Sequence, residues 1–225
     1  MRLPVLMYHR VASARTTTNA TSRDLTVTPR AFAAQLAWLY QAGYHAIRMD
    51  TLLRALRGSG ALPARPVLLT FDDGYVDATR TIAPLLERYG WPGTFFVITG
   101  RMRVRGFLGR TQIASLDRLG MDIGSHTVEH VPLVALGPQA LQFELGASMR
   151  TLQGIVGHPI LSFAYPFGDL NTRAQRAVRA AGYQLAFTTR PGPLVPTDSW
   201  LAEPRIDVHS SQTLNDFARM MQRVR

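Results

Sequence analysis

Two adjacent carboxylates end an apolar run in the stretch Val67-Leu68-Leu69-Thr70-Phe71-Asp72-Asp73-Gly74-Tyr75. The β-branched and leucine residues of the run suit a strand that is buried on both faces, as in a parallel sheet. The two aspartates resist burial together because each carboxylate disfavours ionisation of the other, so the pair needs a cation or a proton. The stretch therefore predicts a strand that ends at an acidic site.

A second stretch, Gly124-Ser125-His126-Thr127-Val128-Glu129-His130, supplies groups that can hold such a cation. If the segment is helical, the imidazoles of His126 and His130 project from one face and can share one ion. Two neutral imidazoles and one carboxylate leave a divalent metal with an open coordination position, as in catalytic sites. An acidic pair at a strand end also serves as a helix cap or a turn in other proteins, but the histidine pair favours the metal.

Strand-like and helix-like segments alternate along the chain, and this pattern predicts right-handed crossovers and a parallel sheet. Seven or eight such units fit within 225 residues. We therefore expect residues 1–225 to form a single α/β domain, a distorted (β/α)7-type barrel of parallel strands. Active residues of such barrels gather at the carboxyl ends of the strands. A long loop is predicted over residues 12–26.

All 25 basic residues are arginines, against 15 carboxylates, which gives a formal net charge of +10. This excess indicates affinity for polyanions, phosphorylated lipid carriers or a membrane surface, or else an ordinary solvated surface encoded by a GC-rich genome. The local concentration is Arg101, Arg103, Arg105 and Arg110, which predicts either a loop that meets an anionic or lipid-linked substrate or a solvated loop. Aromatic residues do not interleave with the basic ones, so no nucleic-acid partner is expected.

Cysteine is absent from the sequence, which excludes disulfides and thiolate metal sites. No apolar run approaches the roughly 20 residues that a membrane span requires. The first seven residues do not resemble a secretory signal, because Tyr8-His9-Arg10 follows before an adequate apolar segment has formed. We expect a cytoplasmic protein, or a periplasmic or extracellular one if an exported precursor begins upstream.

Thr70-Phe71-Asp72-Asp73-Gly74-Tyr75 and His126-Thr127-x-x-His130 together resemble the first two motifs of the polysaccharide deacetylases, carbohydrate esterase family 4. Met7-Tyr8-His9-Arg10-Val11 resembles the branch that includes biofilm poly-N-acetylglucosamine deacetylases, and Ala164-Tyr165-Pro166-Phe167-Gly168 extends the similarity. The resemblance implies a metal-dependent hydrolase whose activated water attacks the acetamide of an N-acetylated amino-sugar polysaccharide, oligosaccharide or glycan precursor.

The resemblance also implies a role for each matching residue. Asp73, His126 and His130 would hold a divalent metal ion, with zinc as the first expectation. Asp72 would be the general base that takes a proton from the attacking water. The backbone N–H of Phe167 would stabilise the oxyanion, while its ring is expected in the wall of a sugar groove or in the core.

Two departures from the family pattern leave alternatives open. Many members have an arginine that orients the base at the position of Ala164; Arg205 is the expected replacement, and a surface ion pair between Arg205 and Glu203 is the alternative. A late Leu-x-His motif supplies the catalytic acid, but this chain has Asp207-Val208-His209. His209 is the expected acid, with a solvated histidine at a strand end as the alternative. His9 is expected at the rim of the site.

Three other functions remain compatible with the sequence. The same fold and metal site could hydrolyse a non-sugar amide. The irregular late motifs favour a glycan-binding module with a vestigial site, whereas the intact aspartates and histidines oppose it. A basic polyanion-binding protein would show strongly salt-dependent retention on heparin or nucleic acid. The sequence does not indicate which oligomeric state the protein adopts.

Overall fold

The structure is a computed structural model that describes residues 2–13, 23–195 and 199–224. Most of the loop predicted over residues 12–26 lies outside these ranges. The strands are β1 (Val5–Tyr8), β2 (Arg10–Val11), β3 (Thr26–Val27), β4 (His45–Ala46), β5 (Pro66–Phe71), β6 (Thr94–Val97), β7 (Asp122–Ser125), β8 (Ser162–Ala164), β9 (Leu185–Pro191) and β10 (Glu203–Asp207).

Seven of these strands close into a barrel in the order β1-β10-β9-β8-β7-β6-β5, with β5 pairing back onto β1. Every pairing in the ring is parallel; Leu6 of β1, for example, lies opposite Leu69 of β5 on one side and Ile206 of β10 on the other. Strand β4 adds outside the ring beside β5, and β2 pairs separately with β3. The predicted (β/α)7-type barrel of parallel strands is confirmed.

Helices connect the strands. They are α1 (Pro29–Gln41), α2 (Met49–Leu56), α3 (a π-helical turn, Ala78–Ile82, continued by Ala83–Glu87), α4 (Arg110–Arg118), α5 (Pro138–Gln142, the π-helical Phe143–Ala147 and Ser148–Val156 in succession), α6 (Thr172–Ala181) and α7 (Leu214–Arg223). Thr28 caps α1 by accepting the Ala31 N–H, with proline at the first position, as N-cap preferences predict. Within the described residues, no helix is both long and apolar enough to cross a membrane.

Alternate residues of each strand face two different apolar layers. Tyr8 and Phe71 point outwards and pack with Phe32 of α1, with ring centroids 5.2 to 5.8 Å apart. Val5, Leu68, Phe96 and Phe187 form the inner layer, which Met49, Leu52 and Leu53 of α2 complete. The apolar residues thus fill the barrel on the side of α2.

The inward positions that follow this apolar layer are polar. Asp72 and His126 directly follow β5 and β7, Thr70 and Arg205 lie within β5 and β10, and all four are buried. Buried polar groups need partners, so this end of the barrel is where a cation and a hydrogen-bond network are required. The fold therefore places the candidate site at the carboxyl ends, as expected for such barrels.

Candidate active site

The predicted metal ligands converge in the structure. Asp73 follows β5, and its Oδ1 lies 3.6 Å from Nε2 of His126 and 3.5 Å from Nε2 of His130. One donor atom from each of the three residues lies within 4.8 Å of the others. Donor atoms about 2.1 Å from a tetrahedral zinc ion are roughly 3.4 Å apart, so both the spacing and the set of two imidazoles and one carboxylate fit a divalent cation.

The histidine segment reaches this arrangement without a helix, so the helical spacing proposed from the sequence is wrong. His126 continues from β7, and its N–H donates to the Val97 carbonyl over 3.0 Å. The chain then reverses through Thr127 and His130, which have positive φ values of 68° and 57°. The Thr127 hydroxyl accepts the His130 N–H over 2.9 Å. A tight loop at a strand end, and not one helix face, brings the two imidazoles together.

His126 is held in the tautomer that a metal ligand needs. Its Nδ1 lies 2.8 Å from the carbonyl oxygen of Ala164. Because a carbonyl only accepts, Nδ1 carries the proton and Nε2 presents its lone pair to the cluster. Burial is the main cause that lowers the pKa of His130 to about 4, so this imidazole is neutral near pH 7.

Glu144 stabilises the loop of residues 126–130, which carries His126 and His130. It lies in the π-helical turn of α5, and its Oε2 accepts the N–H groups of Val128 over 2.9 Å and Glu129 over 3.0 Å. The carboxylate is buried. Glu144 could not be predicted from the sequence, because nothing in an amphipathic helix distinguishes a buried glutamate from a solvated one.

Unusual backbone conformations concentrate at this site. Among non-glycine residues that the structure describes, five have positive φ, and four of them are Asp73, Thr127, His130 and Phe167. Such conformations cost of order 1–3 kcal/mol each and persist where the surrounding structure enforces them. Their grouping around one cluster of donor atoms indicates a functional site.

Arg205 clamps Asp72 inside the barrel. Its Nη1 and Nη2 donate to Oδ1 and Oδ2 of Asp72 over 2.7 and 2.6 Å, and its Nε donates to the Thr188 carbonyl over 3.0 Å. Arg205 is 1% exposed and Asp72 is 3% exposed. The surface ion pair with Glu203 is therefore excluded, because Arg205 is inside the barrel and pairs with Asp72.

The electrostatics of Asp72 follow from this clamp. Burial would raise the pKa of its carboxyl, but the charge and hydrogen bonds of Arg205 outweigh burial. With smaller contributions from His126 and His9, they hold that pKa well below its usual range. Asp72 is therefore ionised near neutral pH, and two hydrogen bonds from Arg205 fix its orientation.

The two other histidines at this end of the barrel differ in their surroundings. His9 follows β1 directly after Tyr8, whose carbonyl accepts the Asp72 N–H over 2.9 Å, and its Nδ1 is buried without a hydrogen-bond partner among the described residues. His209 follows β10, and its ring contacts Ser211 over 3.1 Å and Gln212 over 3.4 Å. The structure thus places His9 next to Asp72 along the strands, whereas the His209 ring makes contacts of its own.

Phe167 lies on the solvent side of the cluster. It is 56% exposed, and its ring packs against the ring of His130, with centroids 4.7 Å apart and planes at 64°. The ring is therefore a wall of the site and not part of the core. Its N–H has no backbone partner in the part of the chain that the structure describes.

Glu203 makes the stability of the fold depend on pH. It is 3% exposed, and burial raises its pKa from 4.5 to about 7, against the opposing charge of Arg190. Between these pH values the folded state binds more protons than the unfolded state, so the free energy of unfolding falls as pH rises, by about 3 kcal/mol in total. Chemical unfolding of the wild type and Glu203→Gln from pH 4 to 8 measures this. In Glu203→Gln the free energy of unfolding should lose this dependence on pH. Identical pH profiles of the two proteins would contradict the role of Glu203.

A closed parallel barrel with a buried acid–arginine pair and an Asp-His-His cluster at its carboxyl end belongs to the class of barrels that can hold a catalytic metal. The polysaccharide deacetylase family matches residues 59–186, more than half of the chain, and the chain belongs to this family.

Named relatives agree with this assignment. YxkH of Bacillus subtilis (strain 168), a protein assigned to the polysaccharide deacetylases, is 31% identical over 85% of this chain and 66% of its own length. The poly-beta-1,6-N-acetyl-D-glucosamine N-deacetylase of Escherichia coli (strain K12) is 24% identical over 90% of this chain and 36% of its own length. The chain thus spans less than two thirds of each. The resemblance to the biofilm branch is confirmed.

A solved structure shows the same fold over almost its whole length. The Streptococcus pyogenes deacetylase PplD in complex with acetate superposes with a TM-score of 0.89 and 28% identity, covering 98% of both chains.

Proposed function

We propose that this protein is a metal-dependent hydrolase that removes N-acetyl groups from an amino-sugar polysaccharide, oligosaccharide or glycan precursor. The observation that carries the proposal is the Asp73, His126 and His130 cluster directly beside the clamped Asp72, in a chain of the polysaccharide deacetylase family. Relatives named as N-deacetylases of an N-acetylglucosamine polymer support the choice of an N-acetylated glycan as substrate.

Asp73, His126 and His130 would hold the cation, and zinc suits two imidazoles and one carboxylate. When bound, a divalent cation would lower the pKa of a water molecule towards about 7 and polarise a carbonyl group. The chain fixes the donors for this purpose: the Ala164 carbonyl orients His126, and Glu144 holds the loop that carries His130.

Asp72 takes the proton from the attacking water. Arg205 occupies one lone pair on each carboxylate oxygen, which leaves others free to accept. Arg205 keeps the pKa of Asp72 low, so the carboxylate is ionised and can accept a proton but binds that proton weakly. The proton must then pass on to the departing amine as the carbon–nitrogen bond of the acetamide breaks and acetate leaves.

His9 fits the role of proton donor to the amine better than His209, the residue expected from the motif order. His9 directly follows Tyr8, whose carbonyl accepts the Asp72 N–H, and its ring has a buried nitrogen with no partner among the described residues, whereas the His209 ring is already bonded to Ser211 and Gln212. The Phe167 N–H is the proposed donor to the oxyanion, and its exposed ring offers a face for the sugar.

Acetate release from N-acetylglucosamine oligomers by the metal-loaded protein tests the proposal. We expect release from these oligomers and little from simple acetamides that lack a sugar. Release only from acetamides would indicate hydrolysis of a non-sugar amide. Saturable oligomer binding without any acetate would indicate a binding module and would contradict the proposal.

Glu144→Ala is expected to weaken metal binding about 10- to 100-fold, because the loop that carries His130 loses the acceptor of two backbone N–H groups. Competition with a chromophoric chelator measures the affinity. Glu129→Ala is the matched control, since Glu129 is an exposed carboxylate of the same loop. Equal affinities for the two variants would show that Glu144 does not position the ligands.

A further inference from the structure

The loop of residues 99–109, which we call the arginine loop, is hydrogen-bonded to both segments that carry the candidate ligands. The N–H groups of residues 99 and 100 donate to the carbonyls of Thr127 and Val128 over 3.1 and 2.9 Å. Near its other end, the Leu108 N–H donates to the Gly74 carbonyl over 2.8 Å, directly after Asp73. The arginine loop is therefore a fixed border of the site.

Two aromatic rings extend this border. Tyr75 and Phe107 stack with centroids 4.9 Å apart and planes at 25°. The guanidinium of Arg101 lies over Phe107 at 5.1 Å from the ring centroid, and that of Arg10 lies over Tyr75 at 4.7 Å. A cation held on an aromatic face has a restricted position compared with a solvated side chain.

The two guanidinium groups differ in their partners. Arg10 is neutralised by Asp77, with Nε and Oδ2 2.9 Å apart. Arg101 takes part in none of the ion pairs or side-chain hydrogen bonds found in residues 2–13, 23–195 and 199–224. Arg101 directly follows Gly100, whose N–H donates to the Val128 carbonyl in the segment that carries His126 and His130, over 2.9 Å. Arg101 is thus an oriented and unneutralised cation beside the candidate ligands.

We propose that Arg101, held on Phe107, forms an anion-binding subsite for a phosphate or carboxylate carried by a sugar next to the N-acetylated one. The planar guanidinium matches both groups through two parallel hydrogen bonds. This inference rests on the proposed function, since it assumes that the N-acetyl group lies at the Asp73, His126 and His130 cluster. It assigns the substrate class as an acidic glycan.

A diffuse positive field is the competing explanation, because the whole chain has a net charge of +10. Arg103 lies in the same loop, is exposed and makes no aromatic contact or ion pair within the described residues, so it contributes only to such a field. Replacing Arg103 therefore provides a matched control for replacing Arg101.

The test measures binding without turnover. Isothermal titration of metal-loaded protein in an Asp72→Asn background compares a neutral N-acetylglucosamine oligomer with the same oligomer carrying one phosphate or one carboxylate. We expect the preference for the charged oligomers to fall about tenfold in Arg101→Gln and to stay unchanged in Arg103→Gln. The phosphate and carboxylate arms show which anion is favoured.

An equal preference in Arg101→Gln and in its parent, or an equal loss in Arg101→Gln and Arg103→Gln, would overturn the subsite. Acetate release by the wild type is scored separately. If acetate is released but the preference does not depend on Arg101, only this inference fails. If no acetate is released, the proposed function fails, and the binding ratios still decide whether Arg101 recognises the anion.

Discussion

Asp72→Asn is expected to lower kcat/KM for acetate release by roughly 10²- to 10⁴-fold while metal content stays at the wild-type level. An asparagine amide cannot take a proton from water, and loss of a general base has effects of this size. The metal should remain because Asp72 is not one of the three residues whose donor atoms converge. Acetate assays combined with metal analysis of the same samples measure both quantities.

Asp50→Asn is a suitable control, because Asp50 lies in α2, on the opposite side of the barrel from the site, and is partly exposed. It should match the wild type in both assays. If Asp72→Asn keeps more than about a tenth of the activity, another group accepts the proton and the role of Asp72 as base is wrong.

Arg205→Met is expected to cost about 3–5 kcal/mol in free energy of unfolding. The substitution leaves the Asp72 carboxylate buried without its guanidinium partner, which is the situation in which broken buried ion pairs are most costly. Activity should fall as well, because Arg205 holds both oxygens of the base. Urea unfolding of the metal-free proteins measures the stability change without a contribution from metal binding.

The double variant Asp72→Asn/Arg205→Met separates stability from catalysis. Stability should recover substantially, since no uncompensated carboxylate remains buried, whereas activity should stay lost. If Arg205→Met is as stable as the wild type, the buried ion pair does not form in solution as the structure shows it.

The sequence predicted the barrel because alternating strands and helices leave few possible topologies. It also placed Asp72, Asp73 and His126 at strand ends, where parallel strands bring side chains together. The convergence of His126 and His130 was predicted for the wrong local reason: the spacing of four residues suggested a helix, whereas positive φ values at Thr127 and His130 fold the loop.

Contacts between distant segments were harder to predict. Arg205 and Asp72 are 133 positions apart and lie on strands that do not pair directly, so only closure of the barrel brings them together. The absence of an arginine at Ala164 suggested that a replacement was needed, but not that Arg205 would be buried. Glu144 and the stacked Tyr75 and Phe107 had no signal in the sequence, because each depends on how a loop returns to the barrel.

If Asp73, His126 and His130 hold a metal on which deacetylation depends, activity must follow the metal content. Acetate release from an N-acetylglucosamine oligomer is measured as zinc is added stepwise to chelator-treated wild type and His126→Ala. We expect wild-type activity to start near zero and to saturate at about one equivalent of metal, while His126→Ala neither binds tightly nor becomes active. Equal acetate release with and without metal in the wild type would contradict it.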